Sequence, residues 1–195
     1  INSFSLMAVP FFILAGEFMG AGGISDKMVD FANAIVGRFR GGLACVNCLD
    51  SMFFGGISGS AVADVSSLGS IVIPMMEKSG YDREFAIALT VTTSCQGVLI
   101  PPSHNMIFFA LAAGGVSVGK LFLGGAIPGV MLGLALMIYS LFVSHKRNYP
   151  KGEAFSFREI VKITIDAMVA LFTAVIIMGG VTLGFFTATE SVAIA

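Results

Sequence analysis

One long uncharged segment limits what this chain can fold into. Between Gly41 and Met76 the only charged side chains are Asp50 and Asp64. As one straight helix the segment would be about 54 Å long, whereas the hydrocarbon core of a bilayer is about 30 Å thick. Its middle reads Gly-Gly-Ile-Ser-Gly-Ser at 55–60, and such a polar, glycine-rich backbone is tolerated at membrane depth only when protein buries it or it lines a cavity. The segment therefore predicts two short helical arms in a re-entrant hairpin with its tip near mid-membrane. The alternative for the small residues is a close helix-packing surface.

The composition excludes several classes of protein. Of the 195 residues, 56% are hydrophobic and 12% are charged, the latter about half the usual share in a soluble domain. The mean hydropathy is +0.91, so we predict an all-α integral membrane protein. With a net charge of −1 and no basic run, a nucleic-acid partner is not expected, and no loop resembles a nucleotide-phosphate cradle. No His and carboxylate pair can be placed beside a serine, so we do not expect an enzyme.

A second apolar segment is interrupted in a similar way. No charged residue occurs from Phe85 to Gly119, but Pro101 and Pro102 lie in its middle. Proline lacks a backbone donor and disfavours helical geometry in the residue before it. We predict a discontinuous helix that runs from Phe85 to about Thr93, opens into a loop, and resumes from about His104 to Ala113.

Basic residues indicate the orientation of the chain. Arg38 and Arg40 precede the hairpin, and Lys78 and Arg83 follow it. Because positive charge marks the cytoplasmic side, both hairpin ends should lie on one face. A span over 121–143 then leads to the most basic loop, and a further span over 167–189 follows. The apolar residues Met28, Phe31, Ile35 and Phe39 recur every three or four positions. They predict an amphipathic helix over 24–39 that lies along the membrane surface or connects two parts of the protein.

This pattern divides the chain into four parts, and the chain is expected to be a piece of a longer protein. The parts are a membrane helix with an amphipathic connecting helix (1–40), a hairpin with its broken helix (41–115, with the hairpin at 41–77 and the broken helix at 84–113), a membrane helix with a basic loop (116–160), and a further membrane helix (161–195).

The two interruptions predict an ion and anion site. Opened helix ends expose carbonyl oxygens that can coordinate sodium and amide hydrogens that suit a carboxylate. Hard oxygen ligands favour an alkali cation over a transition metal, so no cofactor is expected beyond the ion. The candidate side chains with oxygen or amide groups are Ser58, Ser60, Thr92, Thr93, Ser94, Gln96, Ser103 and Asn105.

Some charged and sulfur-containing residues have two interpretations. Asp64 is either a cation counter-charge or proton carrier, or a cap on the second arm of the hairpin. Asp50 is interpreted as structural or water-facing. His104, next to Ser103, is either a titrating group or, the favoured interpretation, a loop residue satisfied by backbone. Cys45 and Cys48 form a C-x-x-C that lacks further zinc ligands, so we interpret them as packing residues.

Three motifs resemble the large membrane subunit of tripartite ATP-independent periplasmic (TRAP) transporters. They are the stretches Gly55–Asp64, Gln96–Asn105 and Gly184–Glu190. The resemblance covers essentially the whole chain. The third motif departs from the family at Ala188, where proline is common.

The resemblance implies more than the residues alone. Similar subunits are sodium-coupled elevator carriers of the bacterial inner membrane that take up small organic acids such as C4-dicarboxylates, sialic acid or sugar acids. A periplasmic binding protein delivers the substrate, and a small membrane subunit completes the complex. Sodium would lie between the hairpin tip and the loop of the broken helix, held mostly by backbone oxygens at Ser58, Ser60, Ser94 and Gly97. The wider set of ion and substrate residues would be Ser58, Gly59, Ser60, Asp64, Thr93, Ser94, Gln96, Gly97, Pro101, Ser103 and Asn105.

Two other functions remain open at this point. A related sodium/carboxylate symporter without a binding protein would share the hairpin and the broken helix. A non-transporting membrane scaffold explains the spans but gives no reason for two polar interruptions at matching depth. Measuring uptake with and without the binding protein separates this symporter from a carrier that depends on the binding protein.

Overall fold

The computed structural model describes residues 21–152 and 155–187 together with Pro10, Leu14, Phe18 and Glu190. The membrane helix predicted over 4–19 falls mostly outside these residues, as does Ala188. The described part is helical apart from one β-bridge between Arg40 and Lys151, so the all-α prediction is confirmed. Its helices are α1 (Ile24–Val36), α2 (Gly42–Ser58), α3 (Ala61–Lys78), α4 (Arg83–Ser94), α5 (Gln96–Leu99), α6 (His104–Ala112), α7 (Val118–Lys146) and α8 (Phe157–Thr182).

Helices α2 and α3 are antiparallel arms of a hairpin. They are separated only by Gly59, which has φ +62°, and Ser60, which is extended with φ −135°. The Ser60 hydroxyl accepts a hydrogen bond from the Ala63 N–H at 3.3 Å and thereby caps α3. Near the other end, the Asn47 amide of α2 lies 3.7 Å from the Met76 sulfur of α3. The chain therefore turns back on itself at the predicted break.

The predicted opening of the next apolar segment is also present. Helix α4 ends at Ser94, the single turn α5 follows, and the axis bends by 49° before α6. Ile100 is extended, with φ −79° and ψ 122°, as expected for a residue before proline. Side chains of α2, α3 and α4 share one buried core, whose members include Val46, Phe54, Leu68, Val72 and Leu89.

In the described part of the chain, α7 is the one unbroken helix long and apolar enough to cross a membrane. Two bent pairs, α4–α5 with α6 and the two halves of α8, raise the number of spans to three if each pair counts as one. Outward-facing Ile127, Ile138 and Phe142 on α7 are more than two-thirds exposed. This apolar surface is typical of an integral membrane protein, as predicted.

Helix boundaries differ from prediction in two places. Helix α8 begins at Phe157, ten residues before the predicted span, because the Glu159 carboxylate accepts the Ser156 N–H at 2.7 Å and stabilises an earlier start. Helix α1 ends at Val36, before the predicted end at residue 39, and the apolar Ile35 and Phe39 are nearly half exposed.

The buried face of α1 is set by its neighbours. It is formed by Ser25, Met28, Val29 and Ala32. Met28 packs with Ala170 of α8. Contact with α2 and α8, rather than the hydrophobic periodicity of α1 alone, decides which side of α1 is covered.

Candidate functional site at the hairpin tip

The tip of the hairpin packs directly against the loop of the broken helix. A β-carbon on Gly59 would lie 2.9 Å from the His104 backbone nitrogen and 3.0 Å from the Ser103 Cα. A β-carbon on Gly97 would lie 3.0 Å from the Gly55 Cα. Both approaches are backbone against backbone, so only glycine allows them. The glycines of the first two motifs therefore bring the two interruptions into contact.

Further contacts connect the same two segments. The Asn105 amide donates to the Gly59 carbonyl at 3.4 Å. A β-carbon on Gly56 would lie 3.2 Å from the carbonyl of the buried Pro101, and one on Gly97 would lie 3.7 Å from the Ser60 carbonyl. The structure thus brings Ser58, Gly59, Ser60, Gly97, Pro101, Ser103 and Asn105 into one region.

Two serine hydroxyls in this region are weakly bonded or free. The Ser58 hydroxyl, on a residue 4% exposed, accepts the Ser60 N–H at 3.3 Å and lies 3.5 Å from the Ser60 carbonyl. The Ser103 hydroxyl is fully buried and has no hydrogen-bond partner in the described part of the chain. The Nδ1 of the neighbouring His104 also lacks one there. A buried hydroxyl without a partner costs about 1–3 kcal/mol, which a ligand in this region would relieve.

A buried polar network lies farther from the tip, between α2 and α4. The Asn47 amide donates to the Thr90 hydroxyl at 2.7 Å, and the Ser51 hydroxyl donates to the Thr93 hydroxyl at 3.1 Å. The Thr93 hydroxyl also donates to the side-chain oxygen Oδ1 of Asn47 at 3.3 Å. Of these residues, only Thr93 is among the site residues predicted from the sequence. The four-residue spacing of Asn47 and Ser51, which places both on one helix face, was the signal that could have found them.

The two carboxylates of the hairpin are buried beside this network. Asp50 is 0% and Asp64 1% exposed, and none of their oxygens has a partner in hydrogen-bond geometry within the described residues. The Ser51 hydroxyl lies beside Asp64. The capping role considered for Asp64 is wrong, because Ser60 caps α3, and Asp50 does not face water. Buried acids of this kind are functional candidates in a membrane protein.

Two predicted site residues direct their side chains elsewhere. The Ser94 hydroxyl donates to the Val91 carbonyl of its own helix at 2.8 Å. The Gln96 amide is fully buried and faces α7, where a β-carbon on Gly133 would lie 2.5 Å from its Oε1. Any part that these residues play at the tip must come from their backbone.

Comparison with known proteins identifies the family. The family model described as "Tripartite ATP-independent periplasmic transporter, DctM component" matches residues 1–195. The chain belongs to this family. The family description and the names of the relatives are those of transporter permease subunits and not of enzymes.

Three curated relatives of the DctM family illustrate the similarity. The chain is 44% identical over 192 residues to the C4-dicarboxylate TRAP transporter large permease protein DctM of Vibrio cholerae, covering 98% of the chain and 42% of that protein. It is 41% identical over 195 residues to the sialic acid TRAP transporter large permease protein SiaM of the same species, covering 100% and 45%. It is 40% identical over 194 residues to the 2,3-diketo-L-gulonate TRAP transporter large permease protein YiaN of Escherichia coli, covering 100% and 45%. The chain therefore spans less than half the length of these relatives.

Proposed function

We propose that this chain forms one half of the sodium and substrate site of a secondary transporter that takes up small organic acid anions. The observation that carries the proposal is the contact between the hairpin tip and the opened loop of the broken helix. Gly59 and Gly97 allow the two backbones to meet there, and the buried Ser103 hydroxyl has no partner among the described residues. Opened helices that meet in this way are the usual ion and substrate sites of secondary transporters.

The groups at the tip fit a sodium ion. The region offers hydroxyl and carbonyl oxygens, including the free Ser103 hydroxyl and the long-bonded Ser58 hydroxyl. In the described residues no three His, Cys, Asp or Glu side chains are grouped to hold a metal ion, and oxygen-only sites suit alkali rather than transition metals. Ser58, Ser60 and Gly97 would hold the ion, with Ser94 contributing its carbonyl. The bound ion would supply positive charge next to an anionic substrate.

The start of α6 suits the substrate carboxylate. The first amides of a helix lack partners within the helix and carry partial positive charge. Ser103 is the N-cap of α6, but its side chain makes no capping hydrogen bond. A carboxylate here would accept from these amides and from the Ser103 hydroxyl.

Family membership supports a proposal for the mechanism, the partners and the location. We propose that the hairpin and the broken helix belong to a mobile transport domain of an elevator carrier in the bacterial inner membrane. A periplasmic binding protein would deliver the substrate, and a small membrane subunit would complete the complex. The names of the relatives, which specify a C4-dicarboxylate, sialic acid and 2,3-diketo-L-gulonate, support an organic acid anion as substrate.

Uptake into proteoliposomes tests the proposal. The protein that carries this chain would be reconstituted with its small subunit, and uptake of radiolabelled organic acids measured with and without a sodium gradient and the binding protein. We expect uptake only when both are present. Uptake that ignores sodium would reject the coupling, and uptake that needs no binding protein would indicate the symporter considered above.

A further inference from the structure

Helix α7 presents three glycines to the loop of the broken helix. Gly125, Gly129 and Gly133 recur every four residues, a spacing that places them on one face of a helix. Gly125 faces the end of α5 and the start of α6. Gly129 faces Ile100, and Gly133 faces Gln96 and Met52. The glycine face therefore follows the loop along most of its length.

The approach is close enough to involve the loop backbone. A β-carbon on Gly125 would lie 2.7 Å from the Leu99 carbonyl oxygen and would also meet the end of Met106. A β-carbon on Gly129 would lie 2.6 Å from Ile100 Cγ1 and 3.2 Å from its backbone nitrogen. Any side chain at these two positions must move the loop or α7, because cores pack without spare volume.

Gln96 provides an independent observation on the same face. Its side chain is fully buried, and neither its amide nitrogen nor its oxygen has a partner within the described chain. The oxygen is directed at Gly133, and a β-carbon there would lie 2.5 Å from it. An unsatisfied buried amide is costly. Because no hydrogen bond holds the Gln96 side chain within the described residues, its position depends on packing against α7.

We infer that Gly125, Gly129 and Gly133 are positioning residues for sodium binding. They touch no proposed sodium oxygen. By letting α7 approach Leu99 and Ile100, they place the adjacent Gly97 and Ser103 against the hairpin tip. This inference rests on the proposed function, since it assigns to α7 the affinity of that same site for sodium.

Alanine substitutions with a matched control test the inference. Gly125→Ala and Gly129→Ala should each raise the sodium concentration for half-maximal uptake by about fivefold or more, because small displacements of site groups have large effects. Gly124→Ala is the control. It lies on the same helix and gains the same helix propensity, but nothing lies within 4 Å of its β-carbon position. It should change the sodium requirement by less than about 1.5-fold.

A second substitution separates positioning from general damage. Ile100→Ala should restore sodium affinity to Gly129→Ala, because it removes the nearest contact and leaves only those beyond 3 Å. Met106→Ala should not restore Gly125→Ala, because the Leu99 carbonyl remains 2.7 Å away. If Gly129→Ala does not assemble, recovery of assembly by Ile100→Ala supports the inference, and failure to recover contradicts it.

Hydrogen exchange makes the two proposals separable. Exchange of the amides in 96–106 should increase in Gly125→Ala and Gly129→Ala but not in Gly124→Ala, measured on the assembled complex. If wild-type uptake ignores sodium, the proposed function fails while this measurement still tests the positioning role. If Gly125→Ala and Gly129→Ala match Gly124→Ala in both measurements, the inference is overturned.

Discussion

The two ends of the α2–α3 hairpin differ in how their polar groups are satisfied. At the end beside α4, the Asp82 carboxylate accepts hydrogen bonds from the Tyr149 hydroxyl at 2.6 Å and from Arg147. The rings of Tyr81 and Tyr149 pack there with their centroids 4.3 Å apart. At the tip, Ser103 is buried without a partner in the described residues. We call the end formed by Tyr81, Asp82, Arg147 and Tyr149 the basic end.

The difference separates structure from function within one element. The basic end joins the hairpin to the loop after α7 through Asp82, Arg147 and Tyr149, which are hydrogen-bonded to one another, although the buried Tyr81 hydroxyl has no hydrogen-bond partner there among the described residues. The tip region retains buried polar groups at a cost to stability. Proteins break such rules mainly at functional sites, so the tip is where ligand should act. Substitutions at the two ends test this contrast.

The largest effect is expected for Gly59→Ala at the tip. The residue has φ +62° and would gain a β-carbon 2.9 Å from the His104 nitrogen, so the backbone strain and the collision should lower the uptake rate by ~10-fold or more. Gly80→Ala at the basic end is the control, since Gly80 has φ +89° but nothing within 4 Å. Equal loss of uptake in both variants, measured at equal amounts of assembled protein, would remove the contrast.

Ser60→Ala and Asp64→Asn should have the next largest effect. Each should raise the sodium concentration for half-maximal uptake by about threefold to tenfold, because the first removes a helix cap at the tip and the second a buried carboxyl group in the first turn of α3. Ser117→Ala is the control. It removes a similar cap at the start of α7, where the Ser117 hydroxyl accepts the Lys120 N–H, and it should leave the sodium dependence unchanged. Unchanged sodium dependence in both tip variants would exclude them from the site.

Asp82→Asn should alter stability in a pH-dependent way without altering sodium affinity. Hydrogen bonds from Tyr149 and Arg147 lower the pKa of Asp82 below its ordinary value of 3.8. A lowered pKa stabilises the folded protein above the unfolded pKa, and that stability is lost as pH falls through the folded pKa. Asp82→Asn should therefore melt about 2 °C below wild type at pH 7, and the gap should close below pH 4. A gap that widens in acid would contradict this assignment.

The smallest effect is expected for Glu77→Gln, also at the basic end. Glu77 pairs with the Arg83 guanidinium at 3.2 Å, and the Arg83 side chain is 76% exposed. Exposed ion pairs contribute little, so the melting temperature should change by less than about 1 °C and uptake should not change. A shift as large as that of Asp82→Asn would show that the additional hydrogen bond from Tyr149 to Asp82 does not distinguish these two pairs.

Much of the fold could be predicted from local chemistry. Uncharged length beyond one bilayer crossing, glycine and serine at 55–60, and Pro101–Pro102 each act through the backbone, so the breaks occur where expected. The contact between the two breaks followed from the resemblance and not from the pattern. The close contacts of Gly59 and Gly97 with residues far away in the chain became visible only in the structure.

Other features depend on which helices meet. A membrane-type, all-helical chain with two interruptions follows from the residues alone, because hydropathy, glycine and proline act on neighbouring residues. Tertiary structure alone decided that Ile35 is exposed, that Asp50 is buried, that Asn47 bonds Thr90, and that Gly129 faces Ile100. These outcomes require packing partners far apart in the chain, and a hydrophobic pattern shows that a face is buried but not what covers it.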